Sequence, residues 1–302
     1  MNIINQKKLS IADLLNEGRK RLKENGNLFS NQEAELLLSY LLNWERYELY
    51  VNHVKEVVFE MANKYYQWIQ LRNNGTPIQY ITGFQQFYGM EFRVSEGVFI
   101  PRPETEILVE KIIKLIESSS KKELLLLDIG TGTGIIPITI CHYFQKSNIN
   151  VRFYAIDISN VAIKLARENA RKHRCQERIQ FFQGNLFQPL SVLKNPVSFD
   201  GIISNPPYID FGELQKLPDE IRLHEPRQAL CGGKDGLQIY RKIIKNTPMY
   251  LKKGNGFLAF EIGYNQCNAV MGLIQGNCAY RKDIITFKDY LQKDRGIIAF
   301  IR

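Results

Sequence analysis

The sequence predicts an α/β protein in which a doubly wound, mostly parallel sheet follows a small helical N-terminal domain. Three observations carry that expectation. The first third of the chain repeats its apolar residues at helical spacing. From about residue 124 onward, apolar strand-length runs alternate with helical runs. The first of those runs empties into a glycine-rich turn, Asp128-Ile129-Gly130-Thr131-Gly132-Thr133-Gly134. Strand–helix alternation implies right-handed crossovers, which place helices on both faces of the sheet.

Taken in order, Ser10-Ile11-Ala12-Asp13 and Ser30-Asn31-Gln32-Glu33 each set a capping residue three positions before an acid, the mark of a helix start. Ile11, Leu14, Leu15 and Leu22 then recur on one face until Gly26, and Ala34, Leu37, Leu38 and Leu41 form the face of a second helix. A third helix over residues 59–72 carries Tyr65, Tyr66, Trp68 and Ile69 and stops at Asn73-Asn74-Gly75. The period then changes to two. Met90, Phe92 and Val94 alternate with Glu91, Arg93 and Ser95, and Glu96-Gly97 offers a turn before Val98-Phe99-Ile100. A β-hairpin linker over residues 84–100 is therefore expected between a helical domain, residues 1–83, and a larger domain, residues 101–302. Pro103 at a first helical position, with Glu104 and Glu106 behind it, opens a helix whose apolar face is Ile107, Leu108, Ile112, Leu115 and Ile116. Strands are expected at residues 124–129, 151–156, 178–182, 199–204, 256–262, 284–287 and 297–301. Helices are expected after the glycine turn, over 160–173 (patterned by Val161 and Leu165), near 238–251, and once more before the last two strands.

Composition narrows the class. Hydrophobic residues at 44% and charged residues at 24% are ordinary for a chain with a buried core. No apolar run approaches the roughly 20 residues of a membrane span. The opening Met1-Asn2-Ile3-Ile4-Asn5-Gln6-Lys7-Lys8 lacks the apolar core of a signal peptide, so a soluble, cytoplasmic protein is expected. Cys141, Cys175, Cys231, Cys267 and Cys278 are odd in number and far apart, which points to reduced, mostly core cysteines; no histidine pair has metal-ligand spacing, so no metal is assigned. Of the net charge of +9, residues 1–85 hold +1 and the remainder +8. A basic larger domain suits an anionic partner, or a protein that works on nucleic acid, as well as it suits plain solubility.

The glycine turn selects a ligand by its spacing. A dinucleotide fold needs its third glycine at position 135, which is Ile135, and no phosphate-loop motif is present. The D-x-G-x-G-x-G pattern instead resembles the first motif of class I methyltransferases, with a purely structural glycine turn as the alternative. Asp157 closes the second strand, where a carboxylate can accept the two hydroxyls of a ribose; capping of the next helix is its other use, which Ser159 could fill. Asn185, after the third strand, stands where an adenine amine could be read.

Ser204-Asn205-Pro206-Pro207-Tyr208 ends the fourth strand, at the sheet edge where open α/β folds bind ligands. Consecutive prolines hold φ near about −65° and donate no N–H, which stiffens the loop and turns a carbonyl outward. The Asn205 side-chain oxygen and the Pro206 carbonyl can then accept both N–H bonds of one NH₂ group, with Tyr208 packed on its plane. The acceptor this suits is a planar, non-basic NH₂. The tetrad alone leaves a glutamine amide and an exocyclic adenine amine equally open, so an adenine-N6 methyltransferase acting on DNA or RNA stands as the second hypothesis and a non-enzymatic nucleoside-binding protein as the third.

Together these residues resemble the HemK/PrmC family, glutamine N5-methyltransferases of class I peptide-chain release factors. The resemblance also rests on Tyr80-Ile81-Thr82-Gly83, Phe87-Tyr88-Gly89, Ile100-Pro101-Arg102-Pro103-Glu104-Thr105-Glu106, Val109-Glu110, Glu225-Pro226, Ala229-Leu230, Gly233, Asp235-Gly236-Leu237, and Glu261-Ile262-Gly263 with Gln266. Methyltransferases of a ribosomal-protein glutamine share the Asn-Pro-Pro-Tyr tetrad but differ at positions 103–106. The resemblance implies a seven-stranded class I S-adenosylmethionine-dependent domain behind helices that grip the release factor. It implies a cofactor site of Asp128, Gly130, Thr131, Gly132, Thr133, Gly134, Asp157, Asn185, Leu186 and Asn205. It implies that Asn205, Pro206, Pro207 and Tyr208 hold the glutamine of a Gly-Gly-Gln tip. The chain departs from the family at Asn185, where Asp is common, and at Leu186, where some members place an aromatic.

Overall fold

The computed structural model describes residues 9–193 and 195–301, so the N-terminal octet read for a signal peptide lies outside the described residues. The chain forms two compact units.

One unit takes in the chain up to Phe84 together with Asp219–His224. Its elements are β1 (Leu9–Ser10), α1 (Ile11–Glu24), α2 (Ser30–Leu42), α3 (Arg46–Val51), β2 (Glu56–Val57, antiparallel to β1), α4 (Phe59–Asn73) and α5 (Ile78–Thr82). The predicted faces of α1 and α2 pack with Ala62, Tyr65 and Ile69 of α4 into one buried cluster. At α1 the capping box forms as expected: the Asp13 N–H donates to the Ser10 hydroxyl at 3.1 Å and the Ser10 N–H to the Asp13 carboxylate at 2.9 Å. At α2 it does not. Ser30 is the first helical residue and buried, Phe29 is the N-cap, and Glu33 is taken instead by the Asn27 amide and by Arg72. An ion pair to a distant guanidinium outcompetes a local cap because it is charged and only slightly exposed.

The second unit takes in Gln85–Pro218 and the chain from Glu225 on. It opens with a hairpin, β3 (Phe84–Phe87) and β4 (Met90–Arg93), which turns at Tyr88-Gly89, both at positive φ (52° and 70°). The pattern had suggested Glu96-Gly97 as the hairpin turn. A turn does exist there, with the Val98 N–H donating to the Ser95 carbonyl at 3.2 Å, but residues 98–100 are not a strand. Pro101 and Pro103 just beyond have no N–H to offer a ladder. The remaining elements are α6 (Thr105–Glu117), β5 (Glu123–Ile129), α7 (Ile135–Tyr143), β6 (Asn150–Asp157), α8 (Asn160–Lys172), β7 (Ile179–Gln183), β8 (Gly201–Ser204), β9 (Ile209–Asp210), α9 (Phe211–Leu214), α10 (Asp219–His224, which belongs to the first unit), α11 (Arg227–Leu230), β10 (Cys231–Gly233), α12 (Gln238–Asn246), β11 (Phe257–Glu261), α13 (Cys267–Gln275), β12 (Tyr280–Lys288) and β13 (Asp294–Ile301).

A seven-stranded sheet runs in the order β12-β13-β11-β8-β5-β6-β7, parallel except for β13, which is antiparallel to both neighbours. Alternation along β5 sends Leu124 and Leu126 to a core cluster shared with α6 and α7, and Leu127 and Ile129 to one shared with α12 and α13. Asp128, in step with Leu126, faces the first of these and is fully buried. In α8 the buried face is Ala162, Ile163, Leu165, Ala166, Asn169 and Ala170, while Val161 is exposed, so the stripe is rotated by one residue from the pattern expected. Cys141, Cys175 and Cys267 are buried, Cys231 half-buried and Cys278 exposed. Among the described residues no helix is long and apolar enough to cross a membrane.

Candidate functional site

Strand order reverses between β5 and β8: the chain runs outward from β5 through β6 to β7, and from β8 through β11 on the other side. At such a reversal the loops leaving adjacent strands diverge to opposite faces and open a crevice at the strands' carboxyl ends. Both sequence motifs fall there. Ile129 of β5 pairs with Ser204 of β8, and the Ser204 hydroxyl donates to the Ile129 carbonyl at 2.6 Å, so Gly130 and Asn205 leave the sheet side by side.

Gly130, Gly132 and Gly134 have φ of 76°, 54° and 82°, a left-handed backbone that a side chain would strain. A Cβ on Gly134 would also lie 2.8 Å from Ile138 Cδ1 and 3.2 Å from Ala166 Cβ, so the turn sits hard against α7 and α8. The Gly130 and Thr131 N–H groups donate to the Ile156 carbonyl, and the Gly132 N–H donates to Asp157 Oδ2 at 2.8 Å. Asp157 Oδ1 accepts the Ser159 N–H at 2.9 Å, while the Ser159 hydroxyl caps α8 through the Ala162 N–H at 3.2 Å. Capping therefore falls to Ser159, and Asp157 stands between the glycine turn and the crevice. Burial pushes its carboxyl up, and the Ser159, Gly132 and Ile158 N–H groups pull it back.

Beside it, both carboxyl oxygens of Asp128 and the hydroxyl of Thr131 are buried, with no partner among the described residues beyond each other. Burial pushes the Asp128 carboxyl up to about 7; the nearby Thr131 hydroxyl opposes this and the Asp157 charge adds to it. Unpaired buried polar atoms are costly, and beside a backbone held open by glycine they suit a polar ligand. Thr133 is buried in the same turn, its carbonyl accepting the Asn169 side-chain amide at 3.0 Å.

The exit of β7 adjoins this group, since the Gly184 N–H donates to the Asp157 carbonyl at 2.9 Å. Asn185 follows with an exposed side chain. Leu186 has a φ of 50° and packs, half-buried, on the core cluster that includes Phe187 and Leu190.

On the other side, Asn205, Pro207 and Tyr208 are half-buried and Pro206 is buried. Asn205 Nδ2 donates to Thr105 Oγ1 at 3.3 Å, and the Thr105 hydroxyl donates to Glu261 Oε2 at 2.6 Å. The Tyr208 carbonyl accepts Gln266 Nε2 at 2.9 Å, and Gln266 Oε1 accepts the Gly263 N–H at 3.1 Å. Glycines let a second loop close over the tetrad. A Cβ on Gly236 would lie 2.4 Å from the Tyr208 carbonyl oxygen, and one on Gly232 would lie 2.8 Å from that of Pro207. The short parallel pair β9–β10 continues this clamp. Burial and the Glu261 charge push the Tyr208 hydroxyl well above its ordinary value. The glycine turn, Asp157, Asn185-Leu186 and the tetrad thus follow the carboxyl ends of the neighbouring strands β5, β6, β7 and β8, with Asp128 buried at the end of β5. Thr105, Glu261, Gln266, Gly232 and Gly236 pack behind or against the tetrad, and no spacing rule assigned them a role. Among the described residues no group of three or more His, Cys, Asp or Glu side chains could hold a metal ion.

Comparison with known proteins places the two units. Residues 13–83 match the family model of the PrmC N-terminal domain, and residues 120–285 match that of a methyltransferase domain. The chain is 39% identical to a release factor glutamine methyltransferase of Clostridium botulinum over 96% of its own length and 98% of the relative's. It is 36% identical to one of Moorella thermoacetica over 97% and 99%. Among solved structures, the catalytic domain of hMettl16 in complex with an RNA hairpin aligns with a TM-score of 0.55 at 13% identity, covering 82% of this chain and 85% of that one. A methyltransferase from Pyrococcus furiosus aligns at 0.50 and 16% identity, covering 71% and 89%. At such identities the likeness is one of fold: the class I methyltransferase sheet.

Proposed function

The chain belongs to the release factor glutamine methyltransferases, and on that premise we propose that it moves a methyl group from S-adenosylmethionine to the side-chain amide nitrogen (N5) of the glutamine in the Gly-Gly-Gln motif of a class I peptide-chain release factor, modulating translation termination. The observation that carries the reading is the placement of Asn205-Pro206-Pro207-Tyr208 beside the glycine turn, with the Asn205 amide N–H pointing inward at Thr105.

S-adenosylmethionine supplies an electrophilic methyl group when bound. Asp157 accepts its ribose hydroxyls from a carboxylate already pinned by two backbone N–H groups. The backbone of Gly130, Gly132 and Gly134 admits the ligand closely, and Asp128, Thr131 and Thr133 supply polar atoms at the same turn. Asn185 offers its side-chain carbonyl to the adenine amine, with Leu186 as its apolar neighbour. Asn205 serves both sites.

At the acceptor, Asn205 Oδ1 and the Pro206 carbonyl accept the two N–H bonds of the glutamine amide, Pro207 stiffens the turn, and Tyr208 packs on the amide plane. An amide lone pair is delocalised into its carbonyl and is a poor nucleophile. Two acceptors on the N–H bonds shift electron density back to nitrogen and aim it along one line, so orientation and local electrostatics carry the step. No base has to act before attack, because the proton becomes acidic only as the new N–C bond forms; it then passes to water, and the methyl–sulfur bond broken in the same step would leave the donor as a neutral thioether. The acceptor is a protein, so the reading requires no direct nucleic-acid contact, and work on a translation factor sets the enzyme in the cytoplasm.

The experiment offers methyl-labelled S-adenosylmethionine to the protein with a release factor, DNA and RNA together, and locates the label by mass spectrometry. Label on the Gly-Gly-Gln glutamine is expected. Label on adenine, with none on the release factor, would overturn the reading in favour of an adenine-N6 methyltransferase.

A further inference from the structure

Two stretches that mark the family by resemblance, Pro103-Glu104-Thr105-Glu106 and Glu261-Ile262-Gly263, have so far no part in the chemistry. They meet behind Asn205. Thr105 begins α6 and is fully buried; Glu261 ends β11, one residue beyond the pair Phe260–Ser204 that joins β11 to β8, and is 1% exposed. The Thr105 hydroxyl donates to Glu261 Oε2 at 2.6 Å, and Asn205 Nδ2 donates to Thr105 Oγ1 at 3.3 Å.

We propose that Thr105 and Glu261 are positioning residues for the methyl transfer, forming a relay that holds the Asn205 amide with Nδ2 inward and Oδ1 toward the acceptor. This rests on the reading of Asn205 as the acceptor-binding amide.

The argument is one of hydrogen-bond polarity. The two ends of an asparagine amide have nearly the same shape, so packing does not choose between them and only their partners do. In its ionised form the Glu261 carboxyl accepts and never donates. It therefore takes the single Thr105 proton, which leaves only lone pairs on Thr105 Oγ1 for Asn205. The amide must then present N–H inward, and its oxygen is left facing the crevice as an acceptor. With the amide reversed, an NH₂ would face the glutamine NH₂, donor against donor, and the site would repel its substrate.

The surroundings of Glu261 suit this task more than a purely structural one. Burial opposes its charge and holds its carboxyl up to about 7, with Glu104 adding to the rise. Thr105, Arg295 and the Asn205 amide pull the other way. The Tyr240 hydroxyl donates to the Glu261 backbone carbonyl at 2.9 Å, which fixes the end of β11 without engaging the carboxylate. A buried carboxyl weakens the fold unless its partners offset the desolvation, whereas its polarity is what a directed relay requires.

The test is a cycle of Thr105→Val, Asn205→Ala and the double variant, with Thr105→Ser as the conservative control and Glu261→Gln as a second probe. Turnover and KM are measured on the release factor, cofactor affinity by calorimetry, and folding by thermal unfolding. Thr105→Val is expected to lower kcat about 100-fold, the scale of a misplaced reacting group. Cofactor affinity and release-factor KM should stay within roughly threefold of wild type. Thr105→Ser, which keeps the hydroxyl, should recover most of kcat, and Glu261→Gln, whose amide oxygen still accepts the Thr105 proton, should keep most of it. In the Asn205→Ala background Thr105→Val should cost nothing further, because the relay acts only through that amide.

Wild-type kcat in Thr105→Val would overturn the relay. So would losses that multiply in the double variant, or a loss that Thr105→Ser does not repair. A wild-type protein that leaves the release factor unlabelled is a different failure: it defeats the functional reading itself, and the relay falls with it.

Discussion

On the proposed function Asn205 is the residue on which the chemistry turns, and its removal should separate binding from turnover. In Asn205→Ala, kcat on the release factor is expected to fall about 100-fold or more. Cofactor affinity, which the proposed function assigns mainly to Asp157 and the glycine turn, should change by no more than roughly threefold. Steady-state kinetics beside calorimetry decide it, and a wild-type turnover rate would remove Asn205 from the mechanism. Asp128 yields a prediction in pH. Its carboxyl is raised from 3.8 to about 7 in the folded chain, chiefly by burial, so between those values the folded state holds a proton that the unfolded state has released. The contribution of Asp128 to stability without ligand should therefore be greatest below the lower value, decline as pH rises between the two, and level off above about 7. Glu261, raised from 4.5 to about 7, adds in the same direction. Thermal midpoints of Asp128→Asn measured from pH 4 to 8 should fall less steeply than those of wild type; parallel curves would contradict the account. The Asn-Pro-Pro-Tyr tetrad and the glycines were legible in the sequence because their chemistry lies in consecutive residues. Thr105 and Glu261 were not, since Thr105 lies 100 residues from Asn205 and 156 from Glu261 along the chain.

At the scale of elements, long helices and strands followed from periodicity, and the departures have local causes. Ser30 lost its cap to a charged pair between Glu33 and Arg72. The hairpin turned at Tyr88-Gly89 rather than Glu96-Gly97, because the strand after the later turn would have run into prolines. The short elements β9 and β10, which clamp the tetrad, and α9 and α11 between them are two to four residues long and too short to show a period. Asn169 of α8 joins the hairpin to the glycine turn. Its fully buried amide accepts the Arg93 N–H at 2.8 Å and donates to the Arg93 carbonyl at 3.1 Å and the Thr133 carbonyl at 3.0 Å. Asn169→Ala strands those backbone groups and should cost about 2–3 kcal/mol, read as a lower denaturant midpoint with an unchanged slope. A loss below about 0.5 kcal/mol would show that water replaces the amide without penalty.

At the scale of the whole molecule, the first unit contains a piece that its position in sequence hides. Asp219–His224 lies beyond the tetrad yet belongs with the N-terminal helices. Arg72, 12% exposed, holds it there: its guanidinium bonds both oxygens of Glu33, at 2.6 and 2.9 Å, and pairs with Glu220 at 3.0 Å. Arg72→Ala leaves Glu33 half-paired in a nearly buried site and should destabilise this unit by about 3 kcal/mol. Faster proteolytic cleavage near residues 219–224 is the measurement, and wild-type resistance would deny Arg72 that role. By itself the sequence determined the α/β class, the glycine turn, the Asn-Pro-Pro-Tyr tetrad and the resemblance to glutamine methyltransferases, because each is written in residues adjacent in the chain or at a fixed period. Only the tertiary structure decided which way the Asn205 amide faces, what clamps the tetrad and where residues 219–224 belong. Those outcomes depend on buried partners far apart in sequence, and a hydrogen bond's direction is set by the partner.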